Sequence, residues 1–405
     1  MGKKRESPAT AFDAPAAWQI WHHSDPESDG FESLLYSDSR INGSPYPIDP
    51  ITVGPCELFP TAAEGGHGIP LSGQLVVRFR HGAPLGPPGQ RPYRSSPDHY
   101  VEMYAAEEIA ALLSLALGVR LRDGGPVRRF PYGKDSAGEP RWHDHYPPAL
   151  IPVPDRRVQL PQLRGKEVDL ARGVQWLSRY PGLQPTEAIV LAKAARSYAD
   201  ALWIADNDPQ QAWLHLVTAL ETVAVHRQTD ALDPMEVLRE AHTELVDLIT
   251  RAGVPQILPE VADLLVETAK ATRRFLDFAC LYAPPPPDER PANEDVRIDW
   301  NQLRKALGSI YTHRSNYLHR GRPLPPGMIG LNLEYGDDGL PPECLHHGTE
   351  IATGSTSWKT REVPMYLWVM AYLVRGALLN WWREHTPGPD SGAATEQNGS
   401  ATEAL

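Results

Sequence analysis

This chain has little cysteine, no long apolar run and no excess of positive charge. Its three cysteines, among 405 residues, are too few for a disulfide framework, so a reducing, cytoplasmic compartment is expected. The longest apolar stretch, residues 365–379, is interrupted by Arg375 and Gly376. It is too short to span a bilayer comfortably and is predicted to form a buried core helix. No apolar run follows the basic start at residues 1–5, so neither a signal peptide nor a membrane partner is expected.

The charge balance limits the kind of nucleic-acid binding that the chain is suited to. Its formal net charge is -12 at pH 7. A protein that binds nucleic acid mainly through the phosphate charges usually carries the opposite sign. The composition therefore argues against a broad RNA-coating surface, but it is compatible with a small and locally basic active site.

The first 155 residues are rich in proline and glycine and contain few periodic segments. The whole chain has 41 prolines and 32 glycines, which indicates long irregular segments between the packed parts. One helix is predicted over residues 105–117, with Gly118 as its stop, and residues 123–125 are predicted to form a turn. The strand candidates are residues 74–80, 51–53 and 18–21. We therefore predict a mixed α/β domain over residues 1–155. The hypothesis that this domain is a sensor or regulator depends only on its being joined to a second domain that carries a recognisable motif.

From about residue 160 the apolar residues follow helical periodicity. The predicted helices cover residues 185–206, 209–227, 234–251, 259–281, 299–319 and 364–384. Residues 160–385 are therefore predicted to form an all-α helical bundle, with a loop of turn residues before the last helix. Residues 386–405 are acidic and of low complexity, and a disordered tail is predicted there. The fold class predicted for the whole chain is α+β.

A short basic segment closes the helix predicted at residues 299–319. Residues 311–321 read Tyr-Thr-His-Arg-Ser-Asn-Tyr-Leu-His-Arg-Gly, which places four residues between Arg314 and His319. A chain of this composition should contain about one Arg-x4-His spacing by chance, so the spacing alone has little weight. The position of the segment at the end of an amphipathic helix, directly before Gly321, gives the spacing more weight. The alternative interpretation is a solvated helix C-terminus, where cations suit the helix dipole.

This segment and an earlier helix together resemble the HEPN family, and within it the Apea-like group. Those domains place an Arg, a polar residue, three further residues and a His on the C-terminal part of one helix, with Gly just after. The matching positions here are Arg314, Ser315, residues 316–318, His319 and Gly321. The earlier helix, from Trp213 to Glu221, is similar to a family helix with a tryptophan-to-glutamate pattern. The resemblance covers residues 185–385.

The residue types of the motif suit a metal-independent endoribonuclease that uses no cofactor. RNA is cleaved when its 2'-hydroxyl attacks the neighbouring phosphate, which requires a proton-transferring group and a permanent cation with directed donors. His319 is the predicted general acid/base, Arg314 stabilises the charge on the phosphate, and Ser315 or Asn316 orients one of them. Residues five apart on a helix differ by about 140° in azimuth, so Arg314 and His319 are not side by side.

The resemblance implies how a motif with few catalytic groups can still form a complete active site for RNA cleavage. Family members pair two protomers so that two motifs face one cleft, which implies a homodimer through the helical domain, with RNA as its substrate. A prokaryotic defence or toxin role is implied in the same way. In some members a tyrosine two residues after the His is modified by a partner nucleotidyltransferase. That position is Gly321 here, so control through such a tyrosine is not expected.

Three further residues are candidates for supporting roles at the motif. His313 and Arg320 add positive charge to the same helix end. Glu221 has two interpretations: it enters the cleft and orients Arg314 or His319, or it is a surface residue.

Two other functions are compatible with the sequence. One is a non-catalytic helical dimerisation module whose motif binds a nucleotide or RNA, which the negative net charge favours. The other is a separate hydrolase within residues 1–155, although that region contains no motif that supports it. Histidines at 22–23, at 143–145 and beside Cys344 are interpreted as polar loop residues, because the paired spacing of zinc ligands is missing. No stable metal is therefore expected.

Overall fold

The structure, a computed structural model, describes residues 14–23, 28–42, 50–61, 72–80, 99–130, 158–163, 166–227, 233–241, 243–329, 335–354 and 356–386. The predictions for residues 143–145 and for the tail from residue 387 lie outside this described part. Contacts divide the chain into two compact units. The first unit comprises Met1–Pro148, Gly165–Ala192 and Leu379–Leu405, and the second comprises Ala149–Arg164 and Lys193–Leu378. Each unit thus draws on separate parts of the chain, whereas the sequence predicts one boundary between residues 155 and 160.

The first unit contains a five-stranded antiparallel sheet. The strands of this unit are β1 (Gly30–Ser37), β2 (Arg40–Asn42), β3 (Ile51–Val53), β4 (Cys56–Pro60), β5 (Ser72–Arg80), β6 (Arg122–Phe130) and β7 (Glu167–Asp169). The sheet has the order β3-β4-β5-β1-β6, while β2 and β7 form a separate parallel pair. Leu35 of β1 lies opposite Leu75 of β5, and both are fully buried, so the paired strands β1 and β5 carry part of the core.

Three helices accompany these strands: α1 (Ala16–His23), α2 (Ala105–Leu117) and α3 (Leu170–Leu177). The first turn of α2 carries a fully buried carboxylate, Glu108. Glu108 accepts hydrogen bonds from the Tyr180 hydroxyl and, at 2.8 Å, from the main-chain N–H of Ala17. Burial nevertheless dominates these bonds and raises the pKa of Glu108 to about 7.

The helix predicted over residues 105–117 is confirmed, as are the strands at residues 51–53 and 74–80. The strand prediction for residues 18–21 is wrong, because they belong to α1. There Ala17, Trp18 and Ile20 are buried. Four residues are too few to distinguish helical from strand periodicity.

The turn predicted at residues 123–125 is also wrong, because this Asp-Gly-Gly segment lies inside β6. The pairing of β6 with β1 shifts register at two points nearby, between Glu32 and Ser33 and between Ser33 and Leu35. A Cβ atom at Gly124 would lie 2.3 Å from Cε2 of Tyr36. Gly124 therefore allows the Tyr36 ring to lie close to the backbone of an irregular strand. The sequence alone does not distinguish such a glycine from one in a turn.

Helices dominate the second unit. The remaining helices of the chain are α4 (Pro185–Ile204), α5 (Pro209–His226), α6 (Pro234–Ala241), α7 (Thr243–Arg251), α8 (Leu258–Leu281), α9 (Leu303–Arg320) and α10 (Leu367–His385). The second unit includes α5 to α9, together with the part of α4 from residue 193 and the part of α10 up to residue 378. The predicted helices agree with these bounds within a few residues, except that the one predicted at 234–251 is divided into α6 and α7.

The prediction that residues 160–385 are all-α requires a correction. A two-stranded hairpin, β8 (Glu350–Thr353) and β9 (Thr356–Lys359), lies between α9 and α10. Every residue of β9 except Trp358 is exposed, so the hairpin lacks the buried apolar face by which strands are recognised in a sequence. The chain as a whole is α+β, with its larger sheet formed by N-terminal strands and most helices in the C-terminal part.

The apolar segment at residues 365–379 is a buried helix, as predicted. Met365, Val369 and Leu378 have no exposed surface. Gly376 in this segment permits close packing, because a Cβ atom there would lie 2.4 Å from Cγ of Pro284. Across the described ranges, no helix combines the length and the apolar character needed to cross a membrane.

Candidate functional site

The Arg-x4-His segment forms the last two turns of α9. Leu303, Leu307 and Ile310 of this helix are buried, which fixes the side of α9 that faces the core. The helix ends at Gly321, whose φ of +61° is a left-handed conformation that favours glycine. The N–H of Gly321 donates to the carbonyl of Tyr317 at 3.1 Å. The predicted glycine stop is thus confirmed, and it fixes the point at which the motif leaves the helix.

Arg314 is held by a carboxylate from a different helix. Its Nη2 donates to Oε2 of Glu221, on α5, at 2.8 Å. The hydroxyl of Tyr311 donates to the other oxygen, Oε1, of Glu221 at 2.9 Å. The guanidinium carbon of Arg314 also lies 5.6 Å from the centre of the Tyr311 ring, within cation–π distance. The structure thus agrees with the interpretation in which Glu221 contacts Arg314, and not with the one in which Glu221 is only a surface residue.

This three-residue cluster of Arg314, Glu221 and Tyr311 is largely shielded from water. The side chains of Arg314 and Glu221 are 23% and 19% exposed. Burial, and then the negative charge of Glu221, hold the pKa of the Tyr311 hydroxyl well above its usual range. Tyr311 therefore stays a neutral donor, and the cluster contains one cation and one anion.

The sequence of α5 explains why Glu221 reaches Arg314. The helix begins at Pro209, and the side chain of Asp208 caps it by accepting from the N–H of Gln211 at 3.1 Å. One face of α5 is apolar and buried, and it includes Trp213, whose Nε1 donates to the carbonyl of Met328 at 2.7 Å. The opposite face carries polar residues at spacings of three and four, ending in Glu221.

A groove of about 440 Å³ adjoins Arg314. Its lining comes from three helices and includes Arg196 and Asp200 of α4, Gln211 and His215 of α5, and Arg314 and Leu318 of α9. This volume falls within the range of about 300–1,000 Å³ that is typical of small-molecule sites. The groove therefore brings two arginines, a carboxylate and an imidazole to one cavity of the second unit.

The predicted catalytic pair is not brought together in this groove. His319 is exposed and is not among the described residues that line the groove. On α9 the azimuth of His319 is about 140° from Arg314 and about 100° from Leu318, the two described residues of α9 that line the groove, so His319 faces away from the cavity. Arg314 and His319 of one chain thus face different directions, as the spacing predicts.

The other predicted site residues surround the motif in different ways. The Nε2–H of His313 donates to the carbonyl of Glu362 at 2.7 Å, and burial lowers the pKa of His313. Ser315 and Asn316 are partly buried, and Arg320 is exposed. His313 is therefore engaged with the main chain rather than with Arg314.

Sequence reasoning missed Arg196 and His215, which line the groove. A helical-wheel reading of α5 contains a signal for His215, because residues 211, 214, 215, 218 and 221 fall on one side of the helix. No comparable signal marks Arg196, whose position beside α5 and α9 depends on how the helices pack.

The histidine and cysteine clusters have local structural contacts. The interpretation of His22 and His23 as loop residues is wrong, because both belong to the last turn of α1. The ring of His22 stacks on Trp18 at 3.7 Å between centroids. Cys344 is buried, its Sγ lies 3.9 Å from Nε2 of His347, and burial raises the pKa of its thiol to about 12. Within the described ranges, no three His, Cys, Asp or Glu side chains form a group suited to a metal ion.

Comparisons of the chain with protein-family models, with curated proteins and with solved structures found no match. The likeness to the HEPN family therefore depends on the motif at residues 314–321 and on the helix from Trp213 to Glu221.

Proposed function

We propose that this chain is a metal-independent endoribonuclease of the HEPN type, which cleaves RNA by attack of a 2'-hydroxyl on the adjacent phosphate. The observation that carries the proposal is the fixed position of Arg314, which Glu221 holds at the edge of a groove that contains a second arginine, Arg196. Two guanidinium groups at one cavity suit a phosphodiester, whose charge increases in the transition state.

The ion pair with Glu221 is compatible with phosphate binding by Arg314. A guanidinium has five N–H donors in a planar fork, and a carboxylate engages at most two of them in a bidentate pair. Donors therefore remain for phosphate oxygens while Glu221 fixes the plane of the group. In this proposal Arg314 stabilises the charge on the phosphate, and Glu221 is a positioning residue.

His319 is the proposed general acid/base, with Ser315 or Asn316 orienting it or Arg314. Since His319 is exposed and directed away from the groove of its own chain, it is accessible to RNA bound across two protomers. A homodimer that pairs two motifs accounts for this arrangement. The dimer, and a defence or toxin role, come from the family resemblance, and residues 1–155 are the proposed regulator.

The test is cleavage of end-labelled total RNA and tRNA in the presence of EDTA. Arg314→Ala and His319→Ala should each reduce the rate by about 100-fold or more, the usual cost of removing an oxyanion donor or a general acid/base. The wild type should leave 2',3'-cyclic phosphate ends. Matched controls are Arg361→Ala and His346→Ala, which remove the same residue types from exposed positions of the same unit.

Equal cleavage by the wild type and both motif variants would remove the assignment of the site. Light scattering provides a separate test of the dimer, whose mass should be twice the 44.9 kDa of the chain. A monomer that cleaves RNA would contradict the paired-motif arrangement while leaving the nuclease in place.

Two observations favour a second candidate, a non-catalytic dimerisation module that binds a nucleotide or RNA. Glu221 already neutralises Arg314, and the chain carries a net charge of -12. In that case the folded wild type would cut no RNA. It would still bind RNA or a nucleotide, and Arg314→Ala would weaken that binding.

A further inference from the structure

We infer that His215 of α5 is a second proton-transferring residue of the proposed nuclease site, and that it accepts the proton of the ribose 2'-hydroxyl. The inference rests on the proposed function. It adds a residue that belongs neither to the Arg-x4-His motif nor to the positions that carry the family resemblance.

The placement of His215 is the first argument. It lines the same groove as Arg314, whereas His319 is not among the described lining residues. His215 is partly exposed, so its ring is accessible from the cavity. Imidazole is the side chain best suited to proton transfer near neutral pH.

The position of His215 on α5 gives the second argument. Leu214, His215 and Thr218 line the groove, with Thr218 between the other two on the helical wheel. Glu221 lies about 20° beyond Leu214 and about 120° from His215. The side of α5 that lines the groove is therefore bounded by His215 at one edge and by Glu221, which fixes Arg314, at the other. A phosphate bound by Arg314 would lie over this face, with the attached ribose in the groove.

The other charged groups of the groove suit a phosphodiester as well. Arg196 and Asp200 come from α4, and Arg314 comes from α9. Nε of Arg196 lies 3.8 Å from the carboxylate of Asp200. The two arginines come from different helices and can both take phosphate oxygens, and His215 supplies the imidazole among the described residues that line the cavity.

Two histidines account for both proton transfers of the reaction, since one accepts a proton and the other donates one. The 2'-O–H bond breaks and its proton passes to a ring nitrogen of neutral His215, while a bond forms between the 2'-oxygen and phosphorus. The bond between phosphorus and the 5'-oxygen breaks, and this oxygen takes a proton from protonated His319 of the second protomer, because His319 of the same chain faces away from the groove. The products are a 2',3'-cyclic phosphate and a 5'-hydroxyl, and both imidazoles then exchange a proton with water.

The experiment uses the full chain and two versions of one RNA oligonucleotide. In the second version, sulfur replaces the bridging 5'-oxygen at the cleavage site, and a thiolate leaves without needing a proton. His215→Gln should lose about 100-fold or more on both substrates, as for other general bases. His319→Gln should lose a similar factor on the oxygen substrate and recover close to wild-type rates on the sulfur substrate.

The pH–rate profile separates proton transfer from a structural effect. The wild type should show a bell-shaped profile, and His215→Gln should lack the rising limb that reports deprotonation of the base. His226→Gln, an identical change on the same helix away from the groove, should keep both the rate and the profile. Circular dichroism checks the fold, and His215→Asn replaces His215→Gln if the latter does not fold.

The outcomes are distinguishable. An active wild type with a His215 variant of equal rate and profile overturns the inference and leaves the proposed function intact. A slow His215 variant with an unchanged profile, or one rescued by sulfur, also overturns it, because neither is the behaviour of a general base. A wild type inactive on both substrates overturns the proposed function, and the role of His215 with it.

Discussion

The ion pair between Arg314 and Glu221 offers a test that does not depend on any activity. Glu221→Gln removes the negative charge while keeping the size of the side chain and an oxygen that accepts from Tyr311. It leaves the guanidinium of Arg314, which is only 23% exposed, without its anionic partner. We therefore expect the local stability of α5 and α9 to fall.

The magnitude follows from the burial of the pair. A shielded hydrogen bond to a charged group contributes about 1.5–3 kcal/mol, and a fully exposed ion pair contributes at most about 1 kcal/mol. Since both side chains are roughly one-fifth exposed, the pair lies between these cases, and we expect a loss of about 1.5 kcal/mol. That loss corresponds to about a tenfold change in an opening equilibrium.

Hydrogen exchange read by mass spectrometry measures this opening directly. Peptides from α5 and α9 should exchange about tenfold faster in Glu221→Gln, while peptides from α2, in the first unit, serve as an internal control. Arg314→Met and the double variant complete a cycle, and the double variant should be less destabilised than the sum of the two single ones. Less than a twofold change, or strict additivity, would refute the reasoning.

Two further predictions concern stability. Burial raises the pKa of Glu108 from 4.5 to about 7. The folded state therefore binds the proton of this carboxyl more tightly than the unfolded state does, and the free energy of unfolding should fall as pH rises from 4.5 to 7. Glu108→Gln should flatten this dependence in thermal unfolding followed across that range, and a slope equal to that of the wild type would contradict the assignment. Gly376→Ala should cost about 1–3 kcal/mol, because its Cβ would lie 2.4 Å from Pro284. The matched control Gly308→Ala, at a helical glycine with nothing within 4 Å, should instead stabilise by about 0.5–1 kcal/mol, and similar urea midpoints for both variants would contradict this packing argument.

Helix positions followed from the sequence wherever a start and a stop were both marked. α2 ends before Gly118 and α9 before Gly321, and both stops were read from the sequence alone. α5 begins at Pro209, again as predicted, and Asp208 caps it. Local backbone chemistry decides such boundaries, so a single sequence is sufficient for them.

The strands were harder to predict because their signals depend on distant partners. β1 contains Glu32, which is fully buried and paired with Arg78 of β5 and Arg128 of β6. A buried carboxylate breaks the apolar alternation that marks a strand. Only the neighbouring strands, far along the chain, supply the arginines that make its burial possible.

The candidate site was foreseen only in part, for the same physical reason. Arg314, His319 and Glu221 were selected from local patterns, and the contact between Arg314 and Glu221 joins two of them. Arg196 and His215 enter the groove because α4, α5 and α9 pack around it. Packing of helices sets which of their faces meet, and the order of residues within one helix does not contain that information.

The bond from His313 to the carbonyl of Glu362 limits how α9 can move. Arg314, the next residue, forms an ion pair with Glu221. Consecutive helical residues point about 100° apart, so these two contacts hold the helix from two different directions. Rotating α9 by about 140°, which would replace Arg314 with His319 in the groove, would break both the hydrogen bond and the ion pair. The two contacts therefore oppose rotation of α9 about its own axis. If the proposed function holds, control of this site would act on what reaches the end of the helix, by admitting or blocking RNA or a second protomer.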